Sequence, residues 1–259
     1  MSYTIKYYYT SHIGKRRQSN QDNLYCNGDY LNYDNSGTDG IVEGSISVSK
    51  QPVFAVFDGM GGEECGEMAA YIASKELSEF QFGKAIKQDL VRFSKLANAK
   101  ICNYTVEHGL RSMGTTAAII KLVKGKFYLC NIGDSKIFQF SDGSLKQISY
   151  DHIGTAEPGR KPPLSQNLGI PEKDLIISPY IFNGEFSKKS MFLICSDGLT
   201  DMVSISEIEK ILNEDNVSCA TEKLLQQALD NGGRDNITIV LLCIEKAKKK
   251  IFNFNRFKK

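Results

Sequence analysis

The chain lacks the features that define several large classes of proteins and enzymes. Its 259 residues contain no apolar run long enough to span a membrane, and its first six residues lack the apolar core of a signal peptide. Only three histidines occur, and none has the spacing of a catalytic triad or a metal site. A phosphate-binding P-loop and a Gly-x-Ser-x-Gly elbow are also absent. These absences argue against membrane-spanning proteins, P-loop nucleotidases and serine hydrolases.

The cysteines do not suggest a disulfide framework. Seven are scattered through the sequence, and no Cys-x-x-Cys pair occurs among them. An odd, scattered set is atypical of disulfide-bonded domains or zinc sites and is typical of the reducing cytosol. We therefore predict a cytoplasmic protein with most cysteines in its core, and a reactive thiol is the alternative.

Charge is distributed unevenly between a domain at 1–245 and a basic tail at 246–259. The tail has seven basic residues and no acidic one, with one isoleucine and three phenylalanines between them. The rest of the chain has 25 basic and 30 acidic residues, so a catalytic surface for nucleic acid is not indicated. The tail is either a solvated end or a segment that makes weak contact with a protein or with the inner face of an acidic membrane. We do not expect nucleic acid as a partner.

Hydrophobic periodicity predicts strands and helices in separate groups. Strands are expected over 3–12, 23–30, 190–195 and 236–244, at four places between 115 and 149, in a hairpin of Ser45–Val48 with Pro52–Asp58, and over Leu175–Ile181. Helices are expected over 66–80, 86–108 and, with a break, 207–229. This order predicts an α+β fold with a sandwich-like core covered by helices.

Five aspartates lie beside glycine or polar residues at the ends of apolar runs. They are Asp22, Asp58, Asp134, Asp197 and Asp235. A single Asp-Gly strand end is most simply an ordinary turn, but the repeated pattern favours a shared site. Clustered carboxylates repel one another unless protons or cations intervene. Because hard oxygen ligands favour Mg²⁺, Mn²⁺ or Ca²⁺, the pattern predicts a multi-metal active site.

Arg17 lies five residues before Asp22, so an extended segment can bring its side chain to the same pocket. A guanidinium binds phosphate through two parallel hydrogen bonds, although Arg17 is also compatible with an ordinary surface position. Metals that lower the pKa of a bridging water, together with an arginine on the phosphate oxygens, suit phosphate-ester hydrolysis. The residues therefore predict a metal-dependent phosphohydrolase.

Six motifs occur in an order that resembles the metal-dependent Ser/Thr protein phosphatase family of the 2C type, in its compact bacterial form. They are Gly14-Lys15-Arg16-Arg17 with Asn20-Gln21-Asp22, Phe57-Asp58-Gly59-Met60-Gly61-Gly62, Met113-Gly114-Thr115-Thr116, Asn131-Ile132-Gly133-Asp134-Ser135, Cys195-Ser196-Asp197-Gly198-Leu199 and Gly233-Arg234-Asp235-Asn236-Ile237-Thr238. The resemblance covers roughly residues 5–244. It implies an αββα sandwich of two antiparallel β-sheets flanked by helix pairs, with metals in a cleft at one end.

The resemblance also implies the ligands of two core metal ions, Mn²⁺ or Mg²⁺. Asp58 would bridge the two ions, and Asp197 and Asp235 would complete the protein ligands of the first. The Gly59 carbonyl would bind the second ion. Asp22 would hold the pair mainly through water.

Two further roles follow from the same resemblance. Asp134, with Asp197, would form a third metal site, and Arg17 would hold the substrate phosphate. The implied reaction is hydrolysis of phosphoserine and phosphothreonine in proteins by a metal-activated bridging water, with Arg17 and Asp58 as catalytic residues. The implied role is signalling in opposition to a bacterial Ser/Thr kinase, and we expect a monomer.

Three features depart from the fullest family pattern. Gln21 stands where many members have glutamate, so the second metal would bind more weakly. Met60 cannot donate the proton that histidine supplies in eukaryotic members. The segment from Asp151 to Ser165 is shorter than the usual flap, which bears on the metal at Asp134 and on substrate choice.

Two alternatives to an active protein phosphatase stay open at this point. The short flap and Gln21 are compatible with a non-catalytic sensor or scaffold on the same fold. A shortened flap is also compatible with a phosphohydrolase of small phosphate esters. Activity at metal saturation, and relative rates on a phosphopeptide and a free phosphometabolite, would separate these readings.

Overall fold

The computed structural model describes residues 3–60, 65–156, 161–214 and 216–247. In these ranges the β-branched and aromatic runs form twelve strands, which are β1 (Tyr3–His12), β2 (Asp22–Cys26), β3 (Asp29–Tyr30), β4 (Val42–Ser47), β5 (Val53–Asp58), β6 (Ala117–Val123), β7 (Lys126–Ile132), β8 (Lys136–Ser141), β9 (Ser144–Gln147), β10 (Tyr180–Glu185), β11 (Met191–Cys195) and β12 (Ile237–Lys246). The segments with helical periodicity form five helices, which are α1 (Gly66–Glu79), α2 (Ile86–Glu107), α3 (Asp197–Thr200), α4 (Ile205–Glu214) and α5 (Val217–Asp230).

The strands form two six-stranded antiparallel sheets. The first sheet has the order β4-β1-β12-β11-β8-β9, and the second has the order β10-β7-β6-β5-β2-β3. β1 pairs with β12 along its whole length, from Tyr3 opposite Lys246 to His12 opposite Ile237. The start of the described chain and its last strand are therefore neighbours at the centre of one sheet.

Apolar side chains fill three layers between these elements. Phe54 and Phe192 belong to the layer between the two sheets. Phe57 and Phe93 belong to the layer between the second sheet and helices α1 and α2. Leu224 belongs to the layer between the first sheet and helices α3, α4 and α5. The predicted αββα sandwich is confirmed.

The predicted hairpin of Ser45–Val48 with Pro52–Asp58 is wrong. β4 pairs with β1 in the first sheet, whereas β5 pairs with β2 and β6 in the second. A single 3₁₀ turn, Val48–Lys50, carries the chain from one sheet to the other. β5 is apolar on both faces because it packs on the opposite sheet with one face and on the helices with the other. Local sequence pattern does not reveal which sheet a strand joins.

The predicted strand over Leu175–Ile181 is also shifted. The strand β10 begins at Tyr180, opposite Asn131 of β7, and continues to Glu185. Pro179 directly precedes it and has no backbone N–H to donate to a neighbouring strand, so the ladder starts after the proline.

The cysteines have the structural role that the sequence predicts. No disulfide joins any of the seven, which all lie in the described ranges, and Cys26, Cys130, Cys195 and Cys243 are buried. Burial raises the pKa of Cys130 and of Cys195 to about 12, so these groups stay protonated thiols at neutral pH.

Some residues that the sequence analysis singled out are not described by the structure. The glycines Gly61 and Gly62, and the tail from Lys248 onward, are outside the described residues.

Among the helices of the described ranges, none has the length and apolar character needed to cross a membrane.

Candidate active site

The sequence-predicted residues meet at one end of the sandwich because neighbouring antiparallel strands start and end together. Asp22 opens β2 directly opposite Asp58, the last residue of β5. Asp134 follows β7, Asp197 follows β11, and Asp235 precedes β12. Four of these aspartates border a cleft of about 240 Å³, which is lined by Arg17, Asp58, Gly59, Met60, Thr116, Asp134, Lys161, Pro162, Leu164, Asp197 and Asp235.

Asp22 is the one predicted carboxylate that lies behind the cleft. The residue is 2% exposed, and its Oδ2 accepts a hydrogen bond of 2.8 Å from the hydroxyl of Ser196. Since Asp22 belongs to the second sheet and Ser196 follows β11 of the first, this bond joins the two sheets at the site. Burial raises the pKa of Asp22 to about 6, although hydrogen bonds from Thr238 and Ser196 act in the opposite direction.

Asp58 is held rigidly by the start of the neighbouring strand β6. Its N–H donates to the hydroxyl of Thr116 at 3.0 Å, and its carbonyl accepts the Thr116 N–H at 2.9 Å and the Thr115 hydroxyl at 3.0 Å. Burial, followed by the charges of the surrounding aspartates, raises the pKa of Asp58 well above its usual range. A bound cation would offset both costs.

Gly59 occupies a position that has no room for a side chain. A Cβ atom there would lie 2.4 Å from the carbonyl oxygens of both Gln21 and Gly66. The Gly59 N–H donates to the same Gln21 carbonyl at 3.2 Å. The Gln21 side chain donates to Oε2 of Glu67 at 3.0 Å, so it anchors the first turn of α1. Close backbone contact therefore ties the loop after β5 to the segment before β2.

Arg17 lies at the exposed edge of the cleft and forms an ion pair with Asp235, with 2.6 Å between its NH2 nitrogen and Oδ2.

Asn236, which the sequence analysis missed, fixes the loop that carries Arg17. Its Oδ1 accepts the Gln21 N–H at 2.9 Å, and its Nδ2 donates to the carbonyls of Ile13 and Ser19, each at 2.9 Å. The adjacent motif Arg-Asp-Asn was the available signal.

Two further charged residues of this site were missed. Lys161 forms ion pairs with Asp134, Asp197 and Asp201. Asp201 follows Asp197 by four residues at the end of α3, a spacing that places both side chains on one face of a helical turn. Nothing in the local sequence distinguished Lys161, since it lies in an irregular segment.

The donor set of the cleft suits hard divalent cations. The charged groups that converge there are mainly carboxylates, and burial together with the charges of neighbouring aspartates raises the pKa of Asp58. Over the described ranges, no three acidic, histidine or cysteine side chains converge tightly enough to hold an ion alone. Ions bound here would therefore need water and backbone oxygens as additional ligands, as Mg²⁺ usually does.

Comparisons with known proteins identify relatives along most of the chain. The sequence model of the family described as Protein phosphatase 2C matches residues 39–237. The Serine/threonine phosphatase stp of Listeria welshimeri is 28% identical over 249 residues, which cover 88% of this chain and 92% of that protein. The Serine/threonine protein phosphatase PstP of Mycobacterium tuberculosis is 30% identical over 204 residues, which cover 73% of this chain and 40% of that protein.

Solved structures of related proteins share the same fold. The catalytic domain of PstP in complex with two manganese ions has a TM-score of 0.74 and 25% identity, covering 94% of this chain and all of that chain. The Mycobacterium tuberculosis PstP/Ppp structure has a TM-score of 0.75 and 26% identity, with the same coverage of this chain.

Proposed function

Because this chain belongs to the Protein phosphatase 2C family, we propose that it hydrolyses phosphoserine and phosphothreonine in proteins, with Mn²⁺ or Mg²⁺ as cofactor. The observation that carries this proposal is the convergence of four of the five strand-end aspartates and Arg17 on one cleft, with Asp22 directly behind it. The relatives named above as Ser/Thr phosphatases favour phosphoprotein substrates over small phosphate esters. They also favour an enzyme over a non-catalytic sensor.

The proposed core metal ligands are those implied by the motifs. Asp58 would be shared by two ions, Asp197 and Asp235 would serve the first, and the Gly59 carbonyl would serve the second. The burial of Asp22 and its hydrogen bond from Ser196 support a role in orienting water around the ions rather than direct contact with substrate. Asp134 borders the cleft beside Asp197, where the motifs imply a third ion, and Lys161 forms ion pairs with both carboxylates there.

Each group contributes a separate part of the chemistry. Bound divalent cations would supply Lewis acidity and a water of lowered pKa for attack on phosphorus. Arg17 would bind two phosphate oxygens with its guanidinium and stabilise their developing charge. The hydrogen bonds that the Asp58 backbone forms with Thr115 and Thr116 keep it in place, so little reorganisation is needed during the reaction. Met60 has no proton to give, so the leaving alkoxide would take its proton from water in the cleft.

The direct test is phosphate release from a phosphothreonine peptide. We expect release with Mn²⁺, loss of release after EDTA, and recovery when Mn²⁺ is added in excess. A folded protein that releases no phosphate at millimolar Mn²⁺ would instead support the sensor reading. A free phosphometabolite hydrolysed much faster than the peptide would support the small-ester reading.

Arg17→Ala should raise KM for the phosphopeptide by about tenfold to a hundredfold, because a hydrogen-bonded charge pair contributes about 1.5–3 kcal/mol. The assay is run at saturating Mn²⁺, since the variant also frees Asp235 from its ion pair. Arg16→Ala is the matched control, because Arg16 is exposed and outside the residues that line the cleft. An unchanged KM for Arg17→Ala would rule out the phosphate role.

We propose further that residues 1–245 are the phosphatase domain and 246–259 a separate tail. β12 supports this boundary, since it ends at Lys246 after pairing with the whole of β1. The tail would make weak contact with an acidic membrane or a protein partner. We also infer that the enzyme acts as a cytoplasmic monomer on phosphoproteins that a Ser/Thr kinase modifies.

A further inference from the structure

One corner of the cleft contains a lysine among three carboxylates. Nζ of Lys161 lies 3.5 Å from Oδ2 of Asp134 and 3.4 Å from Oδ2 of Asp201, and it contacts Oδ2 of Asp197 directly. The carboxylates come from the loop after β7 and from both ends of α3, so the ammonium group joins parts of the site that are distant in sequence.

Two of these three ion pairs engage carboxylates that are largely buried, whereas the Asp201 side chain is 52% exposed. The side chain of Asp134 is 9% exposed and that of Asp197 is 13% exposed, so solvent screens their charges poorly. Without Lys161, three carboxylates would face one another in this corner and would attract a cation. The lysine ammonium already supplies that positive charge.

The segment around Lys161 is attached to the body of the protein by backbone pairing. The Gly154 N–H donates to the Pro163 carbonyl at 2.7 Å, and the Ser165 N–H donates to the His152 carbonyl at 2.9 Å. An isolated β-bridge joins Ile153 and Leu164 between these bonds. Lys161 therefore comes from a short paired segment beside the cleft.

We propose that Lys161 is a built-in cation which excludes a divalent ion from the corner formed by Asp134, Asp197 and Asp201. An ammonium and a divalent cation repel each other at such distances, so both cannot share these carboxylates. The cleft would then operate with two bound ions, and the lysine would replace a third. This inference rests on the proposed function, since it takes the core ions at Asp58 as given.

The test counts bound Mn²⁺ by equilibrium dialysis, with electron paramagnetic resonance of the free ion as the readout. We expect two ions per chain for the wild type and three for Lys161→Ala. The third site of the variant should be half-saturated at a Mn²⁺ concentration at least about tenfold lower than the concentration that half-saturates any third site of the wild type. Lys161→Arg retains the charge and should bind as the wild type does.

Two controls assign the effect to this corner. Lys173→Ala removes the same charge from an exposed position outside the cleft-lining residues, so its Mn²⁺ binding should equal that of the wild type. Adding Asp134→Asn to Lys161→Ala should remove the third ion.

The Lys161 side chain is 52% exposed, so its truncation should leave the fold intact, which circular dichroism checks. Lys161→Met, which keeps an unbranched aliphatic stem, should also bind three ions.

The outcomes separate this inference from the proposed function. Two ions in both the wild type and Lys161→Ala would overturn the role of Lys161 and leave the phosphatase proposal intact. A wild type that binds a third ion as tightly as the variant would also overturn it. A folded wild type that binds no Mn²⁺ would overturn the metal-dependent function and, with it, this inference.

Discussion

Asp58→Asn should lower phosphate release by about a thousandfold or more, equivalent to about 4 kcal/mol of lost transition-state stabilisation. Asparagine has nearly the shape of aspartate but carries no charge, so it cannot neutralise the two ions that Asp58 is proposed to share. The hydrogen bonds that the Thr115 hydroxyl and the Thr116 N–H donate to the Asp58 carbonyl do not depend on the carboxylate and should keep the strand end in place. The measurement is the rate of phosphate release from a phosphothreonine peptide at saturating Mn²⁺.

The same variant should fold at least as well as the wild type in EDTA. Asp58 is half-buried near Asp22, Asp134 and Asp235, and a neutral amide removes its repulsion with those carboxylates. A melting temperature in EDTA that is equal to or above that of the wild type would show that lost activity is not lost structure. Asp174→Asn is the control, since Asp174 is exposed and outside the cleft. Near wild-type activity in Asp58→Asn would refute the metal assignment.

Gly59→Ala should damage both activity and stability. The added Cβ would lie 2.4 Å from two backbone oxygens, those of Gln21 and Gly66, and neither can rotate away as a side chain would. Relief requires a shift of the loop after β5 or of the first turn of α1. We expect a loss of about 3 kcal/mol in the free energy of unfolding, at the upper end of overpacking effects, and a melting temperature lower by about 6 °C or more.

Activity should fall at least about a hundredfold in Gly59→Ala, because a displacement of about 1 Å from productive geometry has that effect. Gly83→Ala is the matched control. The nearest atom to its added Cβ is Oδ2 of Asp89 at 3.4 Å, which is an ordinary contact with a side chain. That control should change the free energy of unfolding by less than about 1 kcal/mol. Equal stability and activity of Gly59→Ala and the wild type would contradict the tight contact at Gly59.

The motifs predicted more of the site than of its surroundings. Asp58 and Asp197 follow continuous apolar runs, and the structure indeed has them at the ends of buried strands. Asp22 could be predicted as part of the cluster, but its position behind the cleft could not, since that depends on its pairing with β5 and on Ser196 from the other sheet. Whether Gln21 weakens the second metal stays a prediction.

Two errors show where sequence pattern reaches its limit. The expected hairpin of Ser45–Val48 with Pro52–Asp58 joined neighbours in sequence that belong to different sheets. Lys161 had no distinguishing motif, because its role comes from carboxylates that lie 27 to 40 residues away in the chain. Both depend on contacts between distant segments, which local periodicity does not encode.

The resemblance of the motifs to a known family implied the αββα arrangement and the protein phosphatase reaction. The sequence by itself determined an α+β class with a sandwich-like core, the strand-end positions of the aspartates and the metal-dependent phosphohydrolase chemistry that those residues suit. These features depend on the two-residue period of strands, the 3.6-residue period of helices and the polar residues where apolar runs end. Only the tertiary structure decided that β4 and β5 belong to different sheets, that Asp22 lies behind the cleft and that Lys161 forms ion pairs with the carboxylates at one corner of it. Those arrangements arise when burial and charge select among long-range pairings, and this selection occurs only once both sheets are assembled.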